Sequence, residues 1–231
     1  MSAAARDVTT VADAQAAYAL PLERRRAYEV MKRTIDVLAA LFLIVLLVPA
    51  MLVLSLAVVV DSGWPIFYRG DRVGRGMRTF SVLKFRSMRV DADPSVHAQY
   101  LRELLQGRAE SRDGVFKVPD DPRITRVGHY LRKSSLDELP QLVNVLRGEM
   151  SLVGPRPEVP YALPDYESWM YRRFDVLPGI TGLWQVRGRG RIGVRGMLQL
   201  DVEYAERCDL GLDIAILAQT VPAVVRGTGA A

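Results

Sequence analysis

The feature that most constrains this chain is the apolar run "VLAALFLIVLLVPAMLVLSLAVVV", Val37 to Val60, in which no residue is charged and Ser55 is the only polar side chain. About 20 such residues cross the hydrocarbon of a bilayer, so a fold must either bury this segment or give it to lipid. Pro49 stands in its middle, where it offers no N–H to the carbonyl of Val45 and kinks or breaks a helix. The flanks are equally restrictive. Arg24, Arg25, Arg26, Lys32 and Arg33 precede the run, while Arg69, Arg72, Arg75 and Arg78 follow it. Under the positive-inside rule both ends belong on the cytoplasmic side. A helix that enters, breaks at Pro49 and returns satisfies both ends, provided the freed backbone groups are shielded. Composition alone leaves the spanning and the re-entrant helix both open.

A length of 231 residues holds one domain plus an anchor. The residues divide accordingly into a loose tail over 1–30, a membrane helix over 31–62 and a globular domain over 63–231. The Ala-rich start, Met1 to Leu20, lacks the hydrophobic centre of a secretory signal. Lys and Arg outnumber Asp and Glu by 31 to 26, which points to an anionic partner: nucleic acid, phospholipid or a phosphorylated small molecule. The lone Cys208 rules out an internal disulfide and a multi-cysteine metal knot. A buried, inert thiol is the expectation there.

Beyond Asp61 the pattern is mixed α/β (α+β). Two β-rich runs, Ile66 to Tyr68 and Thr79 to Phe85, flank a Gly-bearing basic turn and predict a small β-hairpin. Helical periodicity follows in "SVHAQYLRELLQG", then in "LPQLVNVLRG" up to Gly148, and in "YALPDYESWMYRRFDVL" after Pro164. The last segment, "LDIAILAQTVPAVVRG", has an apolar face suited to the core or to a membrane surface, as an amphipathic interfacial helix.

Chemistry concentrates around "SSLDELPQL", Ser134 to Leu142. Ser135 to Glu138 fits a capping box, and Asp137 also fits a helix cap, so a purely structural role accounts for the two carboxylates. Their surroundings argue for more. Lys84, Arg86, Arg123, Arg126, Arg132, Lys133 and Arg156 flank the pair in sequence, and basic groups keep a carboxylate ionised while cradling phosphate. A magnesium ion shared by carboxylate and diphosphate would offset their repulsion. The stiff "GPRP", Gly154 to Pro157, aims Arg156. Gly188, Gly190 and Gly193 spell G-x-G-x-x-G after the strand-like "LWQV", but arginines crowd the turn and no βαβ unit follows. A basic, phosphate-contacting loop is the better reading. His97 and His129 lack metal-ligand spacing.

With these motifs in view, "KFRSM" (Lys84 to Met88), the block Asp121 to Glu158 and "PGITGLWQVRGR" (Pro178 to Arg189) resemble the bacterial sugar transferases, monotopic polyprenyl-phosphate phosphoglycosyltransferases. The resemblance extends from Lys32 to Gly229. It implies a monotopic protein of the minimal catalytic-unit type, whose membrane helix is re-entrant and broken at Pro49. It also implies a covalent mechanism: Asp137 attacks the sugar-bearing phosphate of a UDP-sugar, UMP leaves, and polyprenyl (undecaprenyl) phosphate takes the phospho-sugar. Glu138 is then the acid/base or Mg2+ partner, and Lys84, Arg86, Arg132, Arg156, Arg187 and Arg189 contact phosphate or nucleotide. Asp137, Glu138 and Asp201 are the expected metal ligands. The implied setting is the cytoplasmic face of the bacterial inner membrane, among membrane lipids, at the first membrane step of surface glycan or exopolysaccharide synthesis. Downstream glycosyltransferases are expected neighbours and nucleic acid is not a partner. The rival is a tethered protein that binds nucleotide-sugar or anionic lipid without turnover; two carboxylates beside a phosphate site speak against it.

Overall fold

The computed structural model describes residues 22–93, 95–106, 108, 121–188 and 192–225. Helix α1, Leu22–Ser62, has 41 residues and at 1.5 Å per residue extends about 60 Å. It begins upstream of the apolar run because Glu, Arg, Ala, Met and Lys there are strong helix formers. The helix continues through Pro49 rather than ending there.

One face of α1 lies along the globular domain. Ala39, Ala40, Leu43 and Ile44 enter the main core, and Met51, Leu54 and Val58 pack with Phe85 and Leu131. Polar clamps close both ends. Arg33 donates to the carbonyls of Val145 and Leu146, and Asp36 accepts from the Leu152 amide at 3.0 Å. At the far end Asp61 accepts from the Val127 amide, while Arg86 donates to the carbonyls of Ser62 and Gly63. Both ends therefore belong to one globule. The other faces expose Leu38, Phe42, Val45, Leu52, Leu56 and Val60, an apolar surface far beyond what a soluble helix leaves uncovered. By length and composition α1 can cross a membrane.

Strands β1, Phe67–Val73, and β2, Thr79–Phe85, pair antiparallel around the 3-10 turn Arg75–Met77. The hairpin is where the sequence puts it, with the first strand longer than the expected Ile66 to Tyr68. Helix α2, Ser95–Leu105, follows, then α3, Arg126–Ser134, the 3-10 turn Leu136–Glu138, and α4, Gln141–Arg147. Gly148 ends α4 at φ 79°, as a C-terminal glycine does. The short strands β3, Ser151–Val153, and β4, Gly179–Thr181, pair parallel. Between them lie the 3-10 segments Pro160–Asp165 and Ser168–Asp175, the second of them within the stretch after Pro164 where the sequence predicts a helix. Pro160 and Pro164 remove two amides from the first segment, which favours the tighter winding there.

The chain ends in α5, Leu183–Arg187, α6, Val194–Arg207, and α7, Leu210–Val225. The strand-like "LWQV" is thus helical, a correction to the sequence reading. Its packing supplies the reason: helical winding sends Leu183 into the main core and Trp184 into the cluster of Met197 and Leu198. On α7, Ile216 is buried and Ile214 and Val221 are exposed, so that helix faces both ways. Cys208 is only partly buried, short of the expected buried thiol, and its Sγ donates to the Ala205 carbonyl.

Candidate active site

The acidic pair sits on an unusual join. Helix α3 starts on Thr125, whose hydroxyl accepts from the Gly128 amide at 2.9 Å, and it stops at Ser135 in the left-handed region, φ 59°. A non-glycine residue there carries strain. Ser135 is the C-terminal cap of α3 and makes no side-chain capping bond to the turn that follows, so the expected capping box does not form. Asp137 is likewise inside the 3-10 turn rather than capping a helix, and Pro140, at φ −61°, leads into α4. Two helices joined by one tight turn hold Asp137 and Glu138 at a corner, and Asp137 is only 9 % exposed.

Three cations converge on this corner from separate elements. Lys84, on β2, reaches Glu138 Oε1 at 2.9 Å, and Arg156, from the "GPRP" loop, reaches the same oxygen at 3.2 Å. Arg132, on the last turn of α3, feels the Asp137 charge. Burial depresses Lys84 below the ordinary lysine range, with Glu138 pulling the other way. Glu138 raises Arg156 against its burial. Three cations against two carboxylates leave a positive surplus suited to a phosphate or diphosphate.

Asn144 makes the approach of Lys84 possible. Fully buried on α4, it accepts from the Leu83 amide and donates to the Ser81 carbonyl, so it pairs with the free edge of β2 beside Lys84. No residue pattern flagged it, although one amide in the apolar "LVNVL" was a visible anomaly. Tyr161 lies within electrostatic reach of Arg72 and Arg123, and Lys84 within reach of Arg72.

Other expected site residues stand elsewhere. Arg86 reaches the exit of α1, where its Nη2 donates to the carbonyls of Ser62 and Gly63, away from the acidic pair's ion pairs. Arg187 is exposed at the end of α5, and Arg189 lies outside the described residues, as does Gly190. Asp201 is not beside the acidic pair. Fully buried on α6, it accepts from Arg173 at 2.6 Å, and burial pushes its carboxyl up to about 7 against that partner. Asp201 therefore stands with Arg173 rather than in a carboxylate cluster with Asp137 and Glu138. Among the described residues no group of three or more His, Cys, Asp or Glu side chains gathers to hold a metal. Asp137 and Glu138 remain as adjacent carboxylates, a donor set that fits Mg2+ only when phosphate oxygens and water complete its shell.

Two concavities bear on the site. An apolar groove of about 390 Å³ runs between Leu47, Pro49, Ala50, Val53 and Leu54 of α1 and Leu136 and Leu139, the residues on either side of the acidic pair. A wider cleft, about 980 Å³, opens elsewhere, among Tyr28, Arg33, Phe174, Tyr204 and Cys208. Volume favours the second, which has charged residues of its own such as Arg33, Asp36 and Arg172, while the first is apolar throughout and adjoins the acidic pair only through its sequence neighbours Leu136 and Leu139.

The acidic pair thus stands among Lys84, Arg132 and Arg156, with an apolar groove beside its neighbours Leu136 and Leu139. The chain belongs to the bacterial sugar transferase family, whose model matches residues 27–227. It is 48% identical over 200 residues to the UDP-galactose-lipid carrier transferase of Erwinia amylovora, covering 87% of this chain and 41% of that protein. It is 41% identical over 209 residues to the undecaprenyl-phosphate galactose phosphotransferase of Salmonella typhimurium, covering 89% and 43%. With the exopolysaccharide production protein ExoY of Sinorhizobium fredii it shares 38% identity over 232 residues, 99% of both chains. The chain thus spans about two-fifths of the first two relatives and nearly all of the third.

Proposed function

We propose that this chain is a phosphoglycosyl transferase that moves a hexose-1-phosphate, from UDP-galactose or UDP-glucose, to undecaprenyl phosphate. The observation that carries the proposal is the corner Leu136–Glu138, where Asp137 and Glu138 meet Lys84, Arg132 and Arg156. In the first step an Asp137 carboxylate oxygen bonds to the phosphorus that bears the sugar, the P–O bond to the other phosphate breaks, and UMP leaves with that oxygen. In the second, a phosphate oxygen of the polyprenyl acceptor bonds to the same phosphorus and the Asp137 carboxylate departs, leaving a polyprenyl-diphospho-sugar. Splitting one displacement into two through a carboxylate is ordinary covalent catalysis. Lys84, Arg132 and Arg156 stabilise charge on the transferring phosphoryl group, and Glu138 holds two of them in place. Mg2+, bound by Asp137 and Glu138, would supply further neutralisation of diphosphate charge.

The groove between Pro49 and Leu136 is the proposed lane for the isoprenoid chain, since it leads apolar surface up to the acidic pair. Membrane residence is part of the same reading: the exposed face of α1 is apolar, both its ends dock on one globule, and Trp64 beyond it is 73 % exposed, as interfacial tryptophans are. We place the globular domain on the cytoplasmic face of the inner membrane, with α1 as a re-entrant element bent near Pro49.

Release of UMP from UDP-galactose or UDP-glucose by the purified chain, with undecaprenyl phosphate and Mg2+, tests the activity. Binding of either nucleotide sugar without UMP release would favour the tethered binder instead. Topology has its own test. In a Cys208→Ser background, cysteines at Arg26 and Arg78, both exposed, are expected to react with an impermeant maleimide in inverted vesicles and to resist it in intact spheroplasts. Labelling from opposite sides would establish a spanning helix.

A further inference from the structure

Arg173 lies on the 3-10 segment Ser168–Asp175, far in sequence from the acidic pair, and is 2 % exposed. Its Nη2 donates to the carbonyl oxygen of Arg156 at 2.6 Å and to Asp201 Oδ2 at 2.6 Å. Its Nη1 donates to Glu158 Oε2 and to the Tyr166 hydroxyl, and Tyr166 in turn donates to that same Glu158 oxygen. One guanidinium therefore grips the chain on both sides of Pro157, by the backbone before it and by the side chain after it.

The chemistry of proline makes the first of these grips significant. The peptide between Arg156 and Pro157 has no N–H, so its carbonyl is the only group by which that peptide plane can be held. Pro157 already confines Arg156 to extended backbone, and the rotation left to it carries the carbonyl with it. Other bonds fix the surroundings: Val73 and Glu158 exchange backbone hydrogen bonds, and the Gly179 amide donates to the Pro155 carbonyl. Arg173 donates to the carbonyl of the plane after Arg156, while Asp201 accepts from the Arg156 amide before it and Glu138 holds the far end of the side chain. A buried ion network contributes little net stability relative to apolar packing. Asp201 and Glu158 supply the opposite charges that allow a guanidinium to stay at this depth.

We propose that Arg173, seated by Asp201 and Glu158, is a positioning residue that locks the peptide plane after Arg156 and so holds the Arg156 guanidinium ready for the phosphates of the nucleotide sugar. The proposal rests on the transferase reading for its substrate, and on geometry alone for the lock.

The test uses the full chain in detergent or nanodiscs with Arg173→Lys, Asp201→Asn, Arg156→Ala and the double variant Arg156→Ala/Arg173→Lys. Hydrogen exchange reads the lock without any substrate. Arg173→Lys is expected to speed exchange at the amides of Gly154, Arg156 and Glu158 while α6 keeps its protection, and Asp201→Asn, which retains an acceptor, to do so less. UMP-release kinetics read the consequence. Arg173→Lys alone is expected to raise KM for the UDP-sugar about tenfold, and to add nothing once Arg156 is alanine, because residues acting through one another are not additive. Unchanged exchange at 154–158 in Arg173→Lys overturns the lock. Effects of Arg173→Lys and Arg156→Ala that multiply independently overturn its action through Arg156. If Arg173→Lys loses protection throughout, Asp201→Asn carries the same two comparisons. If the parent chain releases no UMP, the transferase reading falls, while exchange still decides the lock.

Discussion

Replacement of Asp137 by Asn lowers UMP release at least about a thousandfold, the scale on which loss of a covalent nucleophile is felt. The amide matches the carboxylate in shape and still accepts a hydrogen bond, but it cannot displace UMP. With UDP-sugar and no acceptor, the parent chain is expected to gain the mass of one phosphohexose, and the variant to gain none. The turn Leu136–Glu138 keeps its place, since Lys84 and Arg156 remain tied to Glu138, so the urea midpoint changes little. An adduct on the Asn variant at the parent rate would remove Asp137 from the mechanism and leave the site as a binding surface.

The second large effect is on stability. Just past β3 the backbone runs so close to the entry of β4 that a Cβ on Gly154 would lie 2.3 Å from the Leu177 carbonyl oxygen and 2.8 Å from the Gly179 amide nitrogen, both backbone atoms. Neither can yield as a flexible side chain would. Gly154→Ala is therefore expected to destabilise the domain by about 3 kcal/mol, the upper end for an overpacked interior, and to weaken activity because the "GPRP" loop starts at this residue. Gly193→Ala is the control. A Cβ there meets nothing within 4 Å, and its φ of −74° suits any residue. Equal urea midpoints for the two variants would show that the two segments separate at no cost.

These expectations differ in how they became legible. Local rules were enough for the hairpin, for the end of α4 at Gly148 and for the grouping of Lys84, Arg132 and Arg156 around "SSLDELPQL", because each depends on turn chemistry or on motif resemblance. Local rules failed at "LWQV", whose residues favour a strand but which winds as a helix with Leu183 in one core and Trp184 in another. They failed also at Ser135, where a good capping residue ends one helix in left-handed geometry instead of starting the next. Arg86 and Asp201 carried the right charges for phosphate or metal, and their partners lie in Ser62, Gly63 and Arg173, remote positions that no spacing discloses.

What the sequence by itself determined is therefore the chemistry available: an apolar segment long enough for a bilayer, basic flanks on both sides of it, and an adjacent carboxylate pair among cations. What only the tertiary structure decided is which of those charges meet. Ion pairs and hydrogen bonds act over a few ångströms, whereas Lys84 and Glu138 are 54 residues apart along the chain and Arg156 and Arg173 are 17 apart, so their meeting depends on the folded path. Asn144 on the edge of β2, and the close glycine contact between the end of β3 and the entry of β4, set that path.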